Sequence, residues 1–178
     1  MMKFQEKKKL ITLLEYIQHW EGFRSKPYRC PAGKLTIGYG RNIEDRLLSA
    51  NEYRMLYPGF TVSAAMKLLL TGIDERQATR LLKYDIDNII FQLKNENWTK
   101  NLSRNRKMVI FDMCYNLGYN GLLGFKKMIN AIRECDYEEA SMEIHRSRYF
   151  DQVGQRANCN ACIMFTGLIP ADIDDLSI

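Results

Sequence analysis

At 178 residues with 46% apolar content, the chain is the size of one ordinary domain, or of one domain with two lobes sharing a core. Lysine and arginine total 26 against 21 aspartate and glutamate, a net charge of +5 that is scattered rather than gathered into a tract, so it suits a polyanionic partner without selecting one. Five cysteines, an odd number at irregular spacing, argue against a disulfide framework and for mostly reduced thiols.

The chain opens on Met1-Met2-Lys3 and a lysine run at 7–9 before turning apolar, an arrangement that superficially has the shape of a signal peptide. Glu15, Gln18 and His19 interrupt it, no small-residue cleavage site follows, and no stretch reaches the 18 or so apolar residues of a membrane span. The expectation is no integral membrane segment and accumulation in the cytoplasm. Lys7 to Trp20 is predicted as a helix, because Leu10, Leu14 and Ile17 recur at helical spacing, with Leu13 and Trp20 widening the stripe. The stripe runs on into Glu21. A carboxyl at the C-terminal end of an apolar helix face is disfavoured as a charge by desolvation and by the helix dipole, and both effects favour the protonated form that a general acid needs.

From Tyr28 to Gly40 the period changes to two: Leu35, Ile37 and Tyr39 alternate with Thr36, Gly38 and Gly40, after a turn cluster Pro31-Ala32-Gly33-Lys34. The prediction is one short hairpin, alone among helices, with its turn near Gly33 and Cys30 roughly opposite Thr36. Asp74 is a plausible N-cap for a long helix over Glu75–Leu93, and Ser103 for a nearly all-apolar central helix over Arg104–Leu117 that Gly118 ends. Further helices are predicted at Phe125–Arg133, Tyr137–Arg146 and Gln155–Thr166, closed by Gly167, and Pro170–Ile178 reads as an acidic tail that frays. Cys159 and Cys162 lack two further zinc ligands in a chain with only His19 and His145, and they are read as two small buried helix residues; a Cys–His dyad through Cys30 has no supporting motif.

The informative stretch is Glu21-Gly22-Phe23, then Tyr28, Cys30, Gly33 and Thr36-Ile37-Gly38-Tyr39-Gly40, with Glu21 nine residues before Cys30 and Thr36 six after it. Singly, these would be a solvated helix end, a small strand residue and an ordinary strand former. Together, at this spacing, the pattern resembles the phage-type lysozymes of glycoside hydrolase family 24, which carry a catalytic Glu at a helix end, an Asp or Cys nine residues on, and a Thr six beyond. Arg41-Asn42-Ile43-Glu44-Asp45, Gly72-Ile73, Ala78, Leu81-Leu82, Asp85, Phe111, Asn116, Gly118, Gly124-Phe125, Arg156-Ala157 and Thr166-Gly167 extend the resemblance over about residues 10 to 167. The exception is Arg46 to Thr71, an insertion expected to be a helical flap: either a lip on a substrate cleft or, the preferred reading, a connection with its own small core.

The resemblance implies a single α+β, mainly helical, lysozyme-like domain. Its helix and hairpin lobe covers about 7–45, the insertion 46–71, a helical lobe 72–167 and a tail 168–178, with the lobes joined by the long helix and the site between them. It implies hydrolysis of the bond between N-acetylmuramic acid and N-acetylglucosamine in peptidoglycan. Glu21 is then the acid, Cys30 and Thr36 assist nucleophilic attack, and Arg156 pairs with Glu21. Gly38, Tyr39, Gly40 and Asn116 support the site or bind substrate, the two glycines leaving room for sugar to approach. Cys30 is neutral at pH 7 unless its pKa is depressed; as a thiolate it would orient water, stabilise an oxocarbenium-like state or attack the sugar directly. No cofactor and no metal are expected, nor nucleic acid as partner, since no helix shows a concentrated basic stripe. The expected state is a monomer whose access to the wall depends on a holin. A wall-binding homologue without turnover and a lytic transglycosylase are the competing readings.

Overall fold

Three local sequence patterns of the same kind set helix starts in the first half of the chain. The structure, a computed structural model, describes residues 11–174. Thr12 and Glu15 form a capping box: the Glu15 carboxylate accepts from the Thr12 backbone N–H at 2.8 Å, and Thr12 Oγ1 accepts from the Glu15 N–H at 3.2 Å. Helix α1 therefore runs Leu13–Glu21 rather than from Lys7, and residues 7–10 lie outside the described ones. Ser49 and Glu52 repeat the device at α2 (Ala50–Leu56), and Asp74 and Gln77 at α4 (Glu75–Leu93), where the reciprocal bonds measure 2.7 and 3.0 Å.

The hairpin is the first part of a three-stranded antiparallel sheet, β1 (Arg24–Arg29), β2 (Leu35–Gly38) and β3 (Arg41–Asn42), in the order β1-β2-β3. The third strand corrects the expectation of a lone hairpin; two residues are too short to show alternation. β1 starts earlier than Tyr28, with a register irregularity between Arg24 and Tyr28 that contains Pro27, a residue with no N–H to give a ladder.

The insertion forms α2 and α3 (Val62–Thr71), parted at Pro58-Gly59, with Leu48, Tyr53, Leu56, Ala65 and Leu69 buried. The insertion is also fastened to the sheet. Arg41 on β3 donates to Glu52 on α2 and to Asp85 on α4, all three buried, and Arg46 adds a contact to Asp85 at 3.3 Å. Burial pushes the Asp85 carboxyl up to about 6, with Arg41 and Arg46 opposing and Glu52 reinforcing the rise. Since the folded pKa lies above the unfolded one, this group adds stability below pH about 4 and loses it as pH rises through about 6. Chemical denaturation of wild type and Asp85→Asn at pH 4 and pH 7 is expected to show the wild type losing on the order of 2–3 kcal/mol relative to the variant. Parallel stabilities at the two pH values would contradict this.

The described residues divide into two compact units, residues 17–88 and residues 11–16 with 89–174. The first contains the sheet, α2, α3 and most of α4. The second is built on α5 (Arg104–Leu123), preceded by a 3-10 turn at Asn97–Thr99, and on α6 (Lys126–Arg133), α7 (Tyr137–His145), α8 (Arg148–Val153) and α9 (Gln155–Thr166). Its core includes Val109, Ile110, Met113, Leu122, Met128, Ile144 and Ile163. Gly118, at φ 74 and ψ 164, breaks α5 where the sequence places a stop, and the chain then resumes helical geometry to Leu123. α8 was not expected; Ser147 caps it by accepting from the Phe150 N–H. The tail reading is also corrected in part: Ala171–Asp174 forms a short helix, α10, with Ile173 buried, and residues 175–178 lie outside the described ones.

Candidate active site

Gly22 decides where Glu21 stands. Its φ of 65° is open to glycine at little cost, and its N–H donates to Gln18 O at 3.1 Å, ending α1 with Glu21 as the last helical residue, half-buried. Near it lies Tyr28, which the candidate residues omit. Burial raises the Tyr28 hydroxyl pKa, Arg24 lowers it, and the charges of Glu21 and Cys30 raise it further. The Arg24 guanidinium sits over the Tyr28 ring at 4.4 Å. Tyr28 thus senses both residues of the proposed chemistry, and its place in the spaced motif was the signal that could have found it.

Cys30 and Thr36 are neighbours, but not as direct cross-strand partners. The register pairs Tyr28 with Thr36 and Arg29 with Leu35, and Cys30 N–H donates to Lys34 O at 3.0 Å. The turn therefore centres one residue earlier than Gly33, and Thr36 reaches Cys30 diagonally. Hydrogen bonding from the Lys34 N–H is the largest influence on the thiol and lowers its pKa. Burial opposes this, and the N–H of Ala32, the Thr36 hydroxyl and the N–H of Cys30 itself lower it further, for a net displacement below the ordinary value. Thr36 is buried, and its hydroxyl also lies 3.0 Å from Lys34 O; its single proton serves the carbonyl or the sulfur, one at a time.

Gly38 and Tyr39 are occupied by the fold itself. A Cβ on Gly38 would lie 3.2 Å from the Ala78 Cβ and 3.3 Å from Ile73 Cδ1, and φ is +66°, so the missing side chain makes room for the start of α4 rather than for a sugar. Tyr39 is buried and its hydroxyl donates to Glu75 Oε1 at 2.9 Å, tying the sheet to the same helix. Gly40 has φ +82° and carries the chain from β2 to β3.

Arg156 and Asn116 fall in the other unit. Asn116 is exposed on α5. Arg156, buried on α9, donates to Asp112 on α5 through Nη2 at 2.7 Å and Nε at 3.1 Å. Asn160 donates to the same carboxylate at 2.8 Å and accepts from the Tyr16 hydroxyl at 2.8 Å. Asp112 is not among the candidate residues read from the sequence, although one acid in a helix apolar nearly all round requires a buried partner. All five cysteines are free; Cys159 is buried as expected, whereas Cys162 is exposed. Among the described residues no group of three or more His, Cys, Asp or Glu side chains is arranged to hold a metal ion, and no helix is long and apolar enough to cross a membrane.

A family model described as phage lysozyme matches residues 18–159. The chain is 26% identical over 164 residues to probable T4-type lysozyme 2 of Dictyostelium discoideum, covering 89% of this chain and 96% of that protein. It is 25% identical over 166 residues to the pre-baseplate central spike protein Gp5 of Enterobacteria phage T4, covering 88% of this chain but 28% of that protein. Probable T4-type lysozyme 1 of Dictyostelium discoideum is 35% identical over 72 residues, 40% of this chain and 42% of that protein.

Proposed function

Because this chain belongs to the phage lysozyme family, we propose that it is an endolysin-type muramidase that hydrolyses the β-1,4 bond between N-acetylmuramic acid and N-acetylglucosamine in bacterial peptidoglycan. The observation that carries the reading is a helix-terminal Glu21 in the same unit as a cysteine whose thiolate form is favoured by backbone amides and by Thr36. Glu21 gives its proton to the departing glycosidic oxygen. On the other face, either water attacks the anomeric carbon and its proton passes to the Cys30 thiolate, or the sulfur attacks and the thioglycoside is hydrolysed with Glu21 as base. Thr36 holds the nucleophile by a hydrogen bond. Tyr39, Gly38, Gly40, Asn116 and Arg156 stay in the proposal as supporting residues.

The wider setting belongs to the same proposal: a monomer that accumulates in the host cytoplasm, reaches the wall through holin-made lesions and lyses the cell. The experiment that tests the chemistry is the pH dependence of reducing-end release by wild type, Cys30→Ser and Cys30→Asp. Serine does not ionise in this range, so Cys30→Ser is expected to lose about 10²-fold. Cys30→Asp is expected to retain activity with its acid limb moved to lower pH, because a carboxylate forms at lower pH than a thiolate. Equal activity and pH profiles in all three would remove Cys30 from the reaction.

A further inference from the structure

The turn that carries Cys30 is held at both ends by one carboxylate oxygen. Glu44 Oε2 accepts from the Leu35 N–H at 2.7 Å, just after the turn, and from Arg29 Nη1 at 3.1 Å, just before it. Arg29 Nη1 also donates to Gly33 O at 2.6 Å, inside the turn, whose own closure is the 2.8 Å bond from Gly33 N–H to Cys30 O. Glu44 is fixed in its turn by Asn42, whose Oδ1 accepts from the N–H groups of Glu44 and Asp45 at 2.9 and 3.0 Å. Lys34, at the end of the turn, is drawn down to Asp45 at 2.8 Å. These pairs are exposed, and exposed ion pairs contribute little to stability. Their consequence is geometric: they fix the backbone of the turn from Arg29 to Leu35 that carries Cys30.

We propose that Glu44, with Asn42 behind it and Arg29 beside it, is a positioning residue for Cys30, clamping the turn that carries it in one conformation. The idea deepens the reading of Cys30 given above, yet it concerns the thiol itself and is measured without substrate. Its sign separates it from simple electrostatics. Removing the negative charge of Glu44 would by itself favour a nearby thiolate, whereas loosening the turn, whose Lys34 and Ala32 amides lower the thiol pKa, disfavours one.

The test is the pH dependence of Cys30 alkylation by iodoacetamide in the full chain, mapped by peptide mass spectrometry with the exposed Cys135 and Cys162 as internal controls. Wild type, Glu44→Ala, Glu44→Gln and Asn42→Ala are compared, each checked by thermal melting. Glu44→Ala and Asn42→Ala are expected to alkylate Cys30 about fivefold more slowly at pH 7, with profiles displaced to higher pH and the control cysteines unchanged. Glu44→Gln keeps an acceptor oxygen for Leu35 and is expected to fall between them and wild type. Cys30 alkylated in Glu44→Ala at or above the wild-type rate would overturn the clamp, and should that variant not fold, the neutral Asn42→Ala decides in the same way. An alkylation shift with no matching change in the acid limb of reducing-end release would uphold the clamp and count instead against Cys30 in the reaction.

Discussion

Glu21→Gln is expected to lower release of reducing ends from peptidoglycan by about 10²- to 10⁴-fold, the range for loss of a positioned general acid. The side chain keeps its size and hydrogen-bonding capacity but has no proton to give at the glycosidic oxygen. The fold should not suffer. Glu21 is half-buried at the C-terminal end of α1, where the helix dipole disfavours a negative charge, so the neutral amide is expected to leave the melting temperature unchanged or slightly raised. Circular dichroism melting beside the activity assay separates the two quantities. A folded Glu21→Gln protein releasing reducing ends near the wild-type rate would remove Glu21 from the acid role.

Arg156→Met produces the largest expected loss of stability. Asp112 has no solvent exposure, and Arg156 supplies most of its charge-assisted bonds, with Asn160 contributing one more. Without the guanidinium a carboxylate stays buried with a neutral amide as its remaining described donor, at a cost of about 3–5 kcal/mol. For a chain of this length that corresponds to a fall in melting temperature of roughly 10 °C. The double replacement Arg156→Met with Asp112→Leu removes both charges and is expected to recover much of the loss, since well-packed apolar residues often replace a buried ion pair without net cost. A drop below about 1 kcal/mol in the single variant would show that the pair contributes little.

How far the sequence could be read depended on whether an element is decided locally. α4 and α9 fall at Glu75–Leu93 and Gln155–Thr166 as expected, because the Asp74–Gln77 capping box and the left-handed Gly167 mark their ends and a 3.6-residue period fills them. The start of α1 is set by the Thr-x-x-Glu capping box at Thr12 and Glu15 and not by the apolar stripe, which continues in the sequence before Thr12. β3 exists only through pairing of Ile37 with Arg41 and Thr36 with Asn42. The one-residue shift of the turn came from a Gly33 that is not at its centre. The spacing of Glu21, Cys30 and Thr36 could be read directly, whereas Asp112–Arg156 and Arg41–Glu52–Asp85 are tertiary pairings across 44 or 11 residues that no periodicity encodes.

The deciding measurement is of the products that the folded wild-type protein makes from purified peptidoglycan, separated by chromatography and weighed by mass spectrometry. Muropeptides ending in a reducing N-acetylmuramic acid are expected. Anhydro-muramyl ends, or no products from walls of several peptide chemistries, would contradict this, the first pointing to a transglycosylase and the second to a wall-binding protein without turnover.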